Sequence, residues 1–298
     1  MNLPFQLPPL SQNGSHPIWT GQDFQVGKER TKVLHYSTNN SGWNDELTSY
    51  HENAAGDNHF IDCASRHFTL NQLKKSLKSM NNPTILEIGC SSGYMLQKIQ
   101  QLIPHATLIG SDVVYKPLLE LSKKLTIPLL RFDILQCPLP DNCIDAIILL
   151  NVLEHIEDDA TTLKQIYRIL KPNGVLILEV PAGPHLYDAH DRICMHFRRY
   201  KITNLCKLIA DQGFKISNRS HLGTFIYPAF FLAKLWNKRL LSKPDIQQRQ
   251  LMENKIRQTS KNKLLSSLIG LELMLGKWIS YPFGIRCVVS CTKPISSP

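Results

Sequence analysis

Between residues 59 and 220, apolar and polar positions follow a regular succession of helical and extended periods. From Asn58 to Met80, Phe60, Ala64, Phe68, Leu73 and Leu77 fall near the 3.6-residue repeat of a helix. Thr84–Ile88 is a short apolar run, followed by a glycine–serine turn and a helical stretch over Tyr94–Leu102. The same order returns with a strand at Thr107–Ser111, a helix at Lys116–Leu125 and a third strand at Leu129–Phe132. Ile144–Leu150 is nearly all apolar, as a strand buried on both faces should be. Asp158–Leu170 places Leu163, Ile166, Tyr167 and Leu170 on one helical stripe. Lys171-Pro-Asn-Gly174 ends it, Asn and Gly being suited to left-handed backbone, before a fifth strand at Val175–Val180. Strands alternating with helices predict an α/β fold, a doubly wound, mostly parallel sheet.

The flanks differ from this core. Residues 1–58 are polar and rich in Asn, Ser, Gly, His and Pro, and read as an irregular lead-in. Phe214–Arg219 predicts a sixth strand and Arg286–Thr292 a last one. Between them lie two apolar, basic-flanked segments, Phe225–Leu241 and Leu264–Ile279, joined by a polar, basic linker over 242–263. The expected organisation is a lead-in (1–58), a core (59–220) and a basic helical segment with a final strand (221–298). That last segment reads either as a lid or as a contact with an anionic membrane surface.

Charge sharpens the division. The 298 residues carry 34 Lys+Arg and 24 Asp+Glu, a formal net charge of +10. Residues 196–298 hold 18 and 4 of these, leaving 16 and 20 for residues 1–195. The basic surplus therefore belongs to the C-terminal third and not to the core. No RNA-binding module with interleaved aromatics accompanies it, so nucleic acid is disfavoured as a partner. Eight cysteines show no C-x-x-C and no zinc-ligand spacing; they read as free thiols, with no metal site expected. The first residues have no basic region ahead of an unbroken apolar one, and no stretch reaches the ~18 apolar residues of a spanning helix. The expected location is cytoplasmic, with the inner membrane face as a peripheral site.

In doubly wound sheets ligands bind beyond the carboxyl ends of the strands, which directs attention to four loops. The first reads Glu87-Ile-Gly89-Cys-Ser-Ser-Gly93-Tyr94. Its glycines permit a tight turn against a helix N-terminus. Counted from Gly89, a dinucleotide fingerprint would need glycine at Ser91 and Tyr94, and a phosphate-binding G-K-[ST] is absent. An acid at Glu87 suits a ligand carrying positive charge. Asp112 ends the second strand, placed to accept from ribose hydroxyls, and Asp133-Ile134 follows the third. Each acid alone also reads as a helix N-cap.

The runs TILEIGCSSGYML, LIGSDVV, RFDILQCPLPDNCIDAIILLNVLEHIEDD and IYRILKPNGVLILEVP, in this order, resemble the class I S-adenosylmethionine-dependent methyltransferases, in particular the type 11 small-molecule group. The likeness covers roughly residues 60–220. It implies a Rossmann-like seven-stranded sheet with the last strand antiparallel, and S-adenosyl-L-methionine as cofactor. It also implies roles. Glu87, Gly89, Cys90, Ser91 and Gly93 would hold the methionine end, and Asp112 with Val113 the ribose. Asp133 and Ile134 would hold the adenine, and Asn151 would stand beside the sulfonium. One departure is Ser91, where the family has a middle glycine.

Methyl transfer to a hydroxyl needs a base, and His155, His190 and His196 are the candidates by position, with Arg198 and Arg199 beside them for an anionic acceptor. No [DN]-P-P-[YFW] and no Pro-Cys follows the fourth strand, which disfavours adenine-amino and cytosine-carbon methylation. Tails ending in a turn such as Pro282-Phe283-Gly284 resemble those of envelope-polysaccharide or lipid-biosynthesis methyltransferases. The expected acceptor is a small molecule, a lipid or a lipid-linked glycan. The alternative is an inactive methyltransferase scaffold acting in complex assembly or at the membrane surface.

Overall fold

Two apolar runs, residues 84–88 and 144–150, lie side by side at the centre of the sheet and set the position of everything else. The computed structural model describes residues 3–37, 44–49, 59–239, 251 and 262–295. The linker expected over 242–263 falls almost wholly outside them. In chain order the strands are β1 (Ile18–Trp19), β2 (Phe24–Val26), β3 (Glu29–Thr31), β4 (Val33–His35), β5 (Thr84–Ile88) and β6 (Thr107–Asp112). They continue with β7 (Leu129–Arg131), β8 (Ile144–Leu150), β9 (Leu170–Pro181), β10 (Lys215–Leu222) and β11 (Arg286–Thr292). The helices are α1 (Phe60–Ser76), α2 (Tyr94–Leu102), α3 (Tyr115–Leu121), α4 (Asp159–Ile169), α5 (Ala189–Ile193), α6 (Ile202–Asp211), α7 (Tyr227–Lys238) and α8 (Lys263–Leu275).

Among the described residues the main sheet has eight strands in the order β10-β11-β9-β8-β5-β6-β7-β4. β4 through β9 pair in parallel, and β11 enters antiparallel between β9 and β10. The chain runs outward from β5 through β6 and β7, then returns to β8 on the other side of β5. Strand order reverses there, which opens a crevice at the carboxyl ends.

The strand period of two decides what packs where. In β8, Ile147 and Leu149 join one apolar cluster while Ala146 and Ile148 join the cluster on the opposite face. In β9, Leu176, Leu178 and Val180 face the first cluster, and Val175 and Ile177 the second. Helices thus cover both faces, as the continuous apolar runs required.

The lead-in departs from expectation. Instead of irregular chain, β1, β2 and β3 form a small antiparallel sheet, and β4 pairs in parallel with β7 as the eighth strand, where seven were expected. Leu7, Trp19, Phe24 and Leu34 are buried against Leu130, Phe132 and Leu139. Strands of two or three residues are too short to carry a readable alternation; contacts made far along the chain stabilise them. At the α4–β9 junction only Asn173 of the expected Asn-Gly pair takes left-handed backbone, with φ of 63°.

α7 and α8 are fastened to the body by buried polar side chains. Phe60, Ile61 and Ala64 of α1 pack with Leu222, Ile226, Ile269 and Val288. The Glu272 carboxylate in α8 accepts from the backbone N–H groups of Gly223 (2.7 Å) and Phe225 (3.0 Å) just ahead of α7. Among the described residues no helix is long and apolar enough to cross a membrane.

Candidate functional site

The loop after β5 turns on Gly89 and Gly93, whose φ angles are 73° and 74°. L side chains rarely adopt this region. Space forbids them as well: a Cβ would run into Val152 at Gly89 and into Leu121 at Gly93. Gly93 caps α2, so the loop delivers the chain directly into a helix N-terminus. Ser91 keeps the left-handed conformation too, at φ of 43°, so the position where the family has glycine adopts a glycine-like backbone.

Asp112 ties this loop to the next strand. Its carboxylate accepts from the N–H of Ser91 (3.0 Å) and of Val114 (2.9 Å). A carboxylate offers about four lone-pair sites, so these bonds are compatible with ribose hydroxyls as further donors. Asp133 accepts from Leu135 N–H at 2.9 Å, the short-helix cap that its sequence position also allowed. Asn151 takes φ of 53° and donates from Nδ2 to Glu179 at 3.0 Å.

These elements open on one cavity of about 680 Å³. Ile88, Gly89, Ser91, Asp112, Val113, Asp133, Ile134 and Asn151 line one part of it; His155, His190 and His196 line another. The three histidines, 41 residues apart at most in sequence, converge: the His155 and His196 rings meet edge-on with centroids 4.6 Å apart, and His190 and His196 lie 6.3 Å apart. Three residues expected at the cofactor are not on the wall. Gly93 sits behind the loop against Leu121, and the Cys90 side chain turns into the core beside Leu96 and Leu129. Glu87 is buried within the sheet, since Leu86 and Ile88 face the cluster opposite to it.

Burial, reinforced by the nearby Asp112 carboxylate, pushes Glu87 up to about 8 against the pull of the Leu96 N–H. The folded value lies above the ordinary 4.5. The folded state therefore binds the extra proton in this window, and stability falls as pH rises from about 5 to 8. Glu87→Gln removes that loss. The melting temperature of the variant relative to the unaltered protein is expected to climb over this range; a constant difference contradicts the assignment.

The histidine end holds a buried ionic cluster that the sequence did not disclose. Lys234 of α7 donates to Asp188 (2.7 Å) and Asp191 (2.9 Å); Arg199 donates to Asp191 (2.9 Å) and to the Ala182 carbonyl (2.8 Å). Both aspartates are fully buried. Burial opposes the charge on Asp191, but His196, Lys234 and Arg199 outweigh it and hold the carboxyl far below its usual range. His196 Nδ1 lies 2.8 Å from Asp191 Oδ1. A carboxylate can only accept, so Nδ1 carries the proton and Nε2 presents its lone pair. Glu154 beside it has no exposure, and burial raises its carboxyl to about 8.

A second cluster backs the cavity. Glu179 on β9 accepts from Arg286 (2.6 Å), Ser65 (2.8 Å) and Asn151, and Arg286 also bonds Asp62 (2.6 Å). Arg286, Asp62 and Asn151 all reach the cavity wall, so α1, β8, β9 and β11 are locked together behind it. α7 closes the site with Ala229, Phe230 and Ala233, and Leu265 of α8 joins them. Arg198 points elsewhere, to Asp159 at 2.7 Å.

Comparison with known proteins agrees with this geometry. Residues 86–178 match the methyltransferase domain model of the type 11 family. A Mycolicibacterium smegmatis protein named a probable S-adenosylmethionine-dependent methyltransferase is 25% identical over 144 residues, covering 47% of this chain and 54% of its own. The chain thus spans about half the length of the curated relatives it matches. Among solved structures, a Haemonchus contortus phosphoethanolamine N-methyltransferase superposes with a TM-score of 0.57 at 14% identity, covering 98% of this chain and 72% of its own. The [4+2]-cyclase SpnF superposes with a TM-score of 0.51 at 14% identity, covering 77% and 81%. At such identities the likeness is one of fold.

The family's cofactor is S-adenosylmethionine, and the residues present fit it. The glycine loop comes close to the cavity, one carboxylate ends β6 and another follows β7 on its wall, and apolar Ile88, Val113, Phe132 and Ile134 flank them to receive a purine. Loop, acids and crevice lie in and around the matched segment, and residues 86–178 are similar to the methyltransferase domain of the S-adenosylmethionine-dependent type 11 family.

Proposed function

We propose that this chain methylates an apolar, lipid-like acceptor, which enters between the histidine cluster and α7. The observation that supports this reading is the continuity of one cavity from Asp112 and Asp133 to His155, His190 and His196 under a wall of Ile226, Ala229, Phe230 and Ala233. Asp112 and Val113 would hold the ribose, Asp133 and Ile134 the adenine, and Gly89 and Ser91 the methionine end. When bound, the cofactor supplies a methyl group on a sulfonium cation. The protein's contribution is alignment and exclusion of water. The three imidazoles stand at the acceptor end, where one of them takes the proton of an acceptor hydroxyl.

The outer faces of α7 and α8 support a lipid-like acceptor. Leu232 and Leu235 of α7, Leu271 and Met274 of α8, and Trp278 and Ile279 just after it are exposed, with Lys238, Arg239, Lys263 and Lys277 beside them in the chain. Apolar and aromatic residues bordered by cations fit the interface of an anionic membrane. The inner face of the same α7 lines the cavity, so the segment would act as lid and membrane contact at once, on a protein working from the cytoplasmic side.

The test is a transfer assay with radiolabelled S-adenosylmethionine and two separate fractions of one cell extract. Label is expected in the lipid fraction. Label confined to the water-soluble fraction overturns the lipid-like acceptor, and no label in either overturns the enzyme itself.

A further inference from the structure

Glu154 is the least explained side chain of the site. It is fully buried, it lies on the cavity wall, and neither carboxylate oxygen has a hydrogen-bond partner among the described residues. An ionised carboxylate left so in an apolar surrounding is costly, by several kcal/mol or more. At this end of the cavity the Lys234 and Arg199 cations are bonded to Asp188 and Asp191, and neither bonds the Glu154 carboxyl.

Two nitrogen donors stand beside it. One ligand atom each from Glu154, His155 and His196 all lie within 4.8 Å of one another. His196 is oriented as a ligand: with Nδ1 bonded to Asp191, Nε2 is the atom left to bind. A carboxylate on the far nitrogen of a metal-bound histidine is the recurrent second layer of such sites, fixing the ring and raising its basicity. Arg199 and Lys234 hold that aspartate in turn, so the ring is set by a network and not by a lone contact.

We propose that Glu154, His155 and His196 bind a divalent first-row transition ion, with zinc as the reference metal, at the acceptor end of the cavity. One carboxylate and two imidazoles are a donor set for zinc and related ions with open positions left over. Bringing three donors to ~2.0–2.2 Å from one ion requires only that the side chains draw inward. The open position faces the cavity, where it takes an acceptor oxygen. The ion then lowers the pKa of that oxygen, His155 and His196 serve as ligands, and His190 remains to receive the proton. The role given to the ion rests on the proposed methyl transfer; the binding of the ion does not.

The test uses the full chain, stripped with a chelator and dialysed, and needs no turnover. Cobalt(II) is titrated in and followed by its visible absorption, then displaced by zinc, and bound zinc is counted by elemental analysis. One equivalent is expected, with absorption lacking thiolate charge-transfer bands. Glu154→Gln and His196→Ala are each expected to weaken uptake at least tenfold, and Asp191→Asn ten- to a hundredfold through the ring it orients. Binding of S-adenosylhomocysteine, measured on the same samples without metal, shows that each variant is folded. Loss of metal uptake with that binding intact supports the site. No uptake by the unaltered protein, thiolate bands, or equal uptake by folded Glu154→Gln overturns it. Should a variant fail to fold, the unaltered protein's titration decides alone. Failure of S-adenosylhomocysteine binding, by contrast, strikes the methyltransferase reading and leaves the metal result standing.

Discussion

Asp112→Ala is expected to weaken binding of S-adenosylhomocysteine by ~3 kcal/mol, roughly a hundredfold in Kd, read by calorimetry. Two losses add. The carboxylate is the hydrogen-bond acceptor at the end of β6, where ribose hydroxyls are held in this fold, and charge-assisted bonds are worth ~1.5–3 kcal/mol each. The same carboxylate holds Ser91 and Val114 by their N–H groups, so its removal also loosens the turn that Gly89 and Gly93 shape. Asp112→Asn keeps an acceptor of the same size and is expected to fall between. An unchanged Kd for the alanine variant would place the nucleoside elsewhere.

Lys234→Met is expected to destabilise the fold by ~3–5 kcal/mol, because it leaves Asp188 and Asp191 buried with one cation fewer. For a chain of this size that is a fall of roughly 10 °C in melting temperature. The methionine stem fills the space of the lysine, so the effect is electrostatic and not a cavity. Adding Asp188→Asn removes the orphaned charge and is expected to restore most of the loss, since a neutral amide tolerates burial better than a carboxylate. If the double variant is no more stable than Lys234→Met, the bridge from α7 to Asp188 does not carry the stability. Cofactor affinity should change little in either variant, because Lys234 is bonded within the histidine-side cluster and not to the glycine loop or Asp112.

This bridge also marks what could be read in the sequence. β5, β6, β8 and β9 were legible because each is a run of five or more largely apolar residues, the three-residue β7 because it falls in the regular strand–helix succession between them, and β11 because Cys287-Val-Val-Ser-Cys291 is a short apolar run. The glycine loop and the acids after β6 and β7 were legible because they are local: a turn, a cap and a strand end lie within a few residues. The ionic clusters were not. Lys234 meets its aspartates 46 and 43 residues away, and Arg286 meets Asp62 across 224. No spacing rule reaches that far, and a lysine within an apolar helix reads as a snorkelling side chain until its partners are seen.

Glu87 and Glu154 carry the same lesson at close range. The position of Glu87 before the glycine loop reads as facing a cationic ligand, yet strand alternation turns it to the face opposite Leu86 and Ile88 and buries it. Glu154 was not singled out by any motif in the sequence; its lack of carboxyl partners beside two converging histidines sets it apart. The lead-in escaped because β1 to β4 are two or three residues long, and their side chains are buried by residues of β7 and beyond.

The decisive property of the crevice above β5 and β6 is whether it takes the adenosyl ligand. Calorimetric titration of the unaltered protein with S-adenosylhomocysteine measures this without knowledge of the acceptor. A single site per chain is predicted, with heat that collapses in Asp112→Ala and persists in Glu154→Gln. No heat at millimolar ligand, or heat indifferent to Asp112, contradicts it.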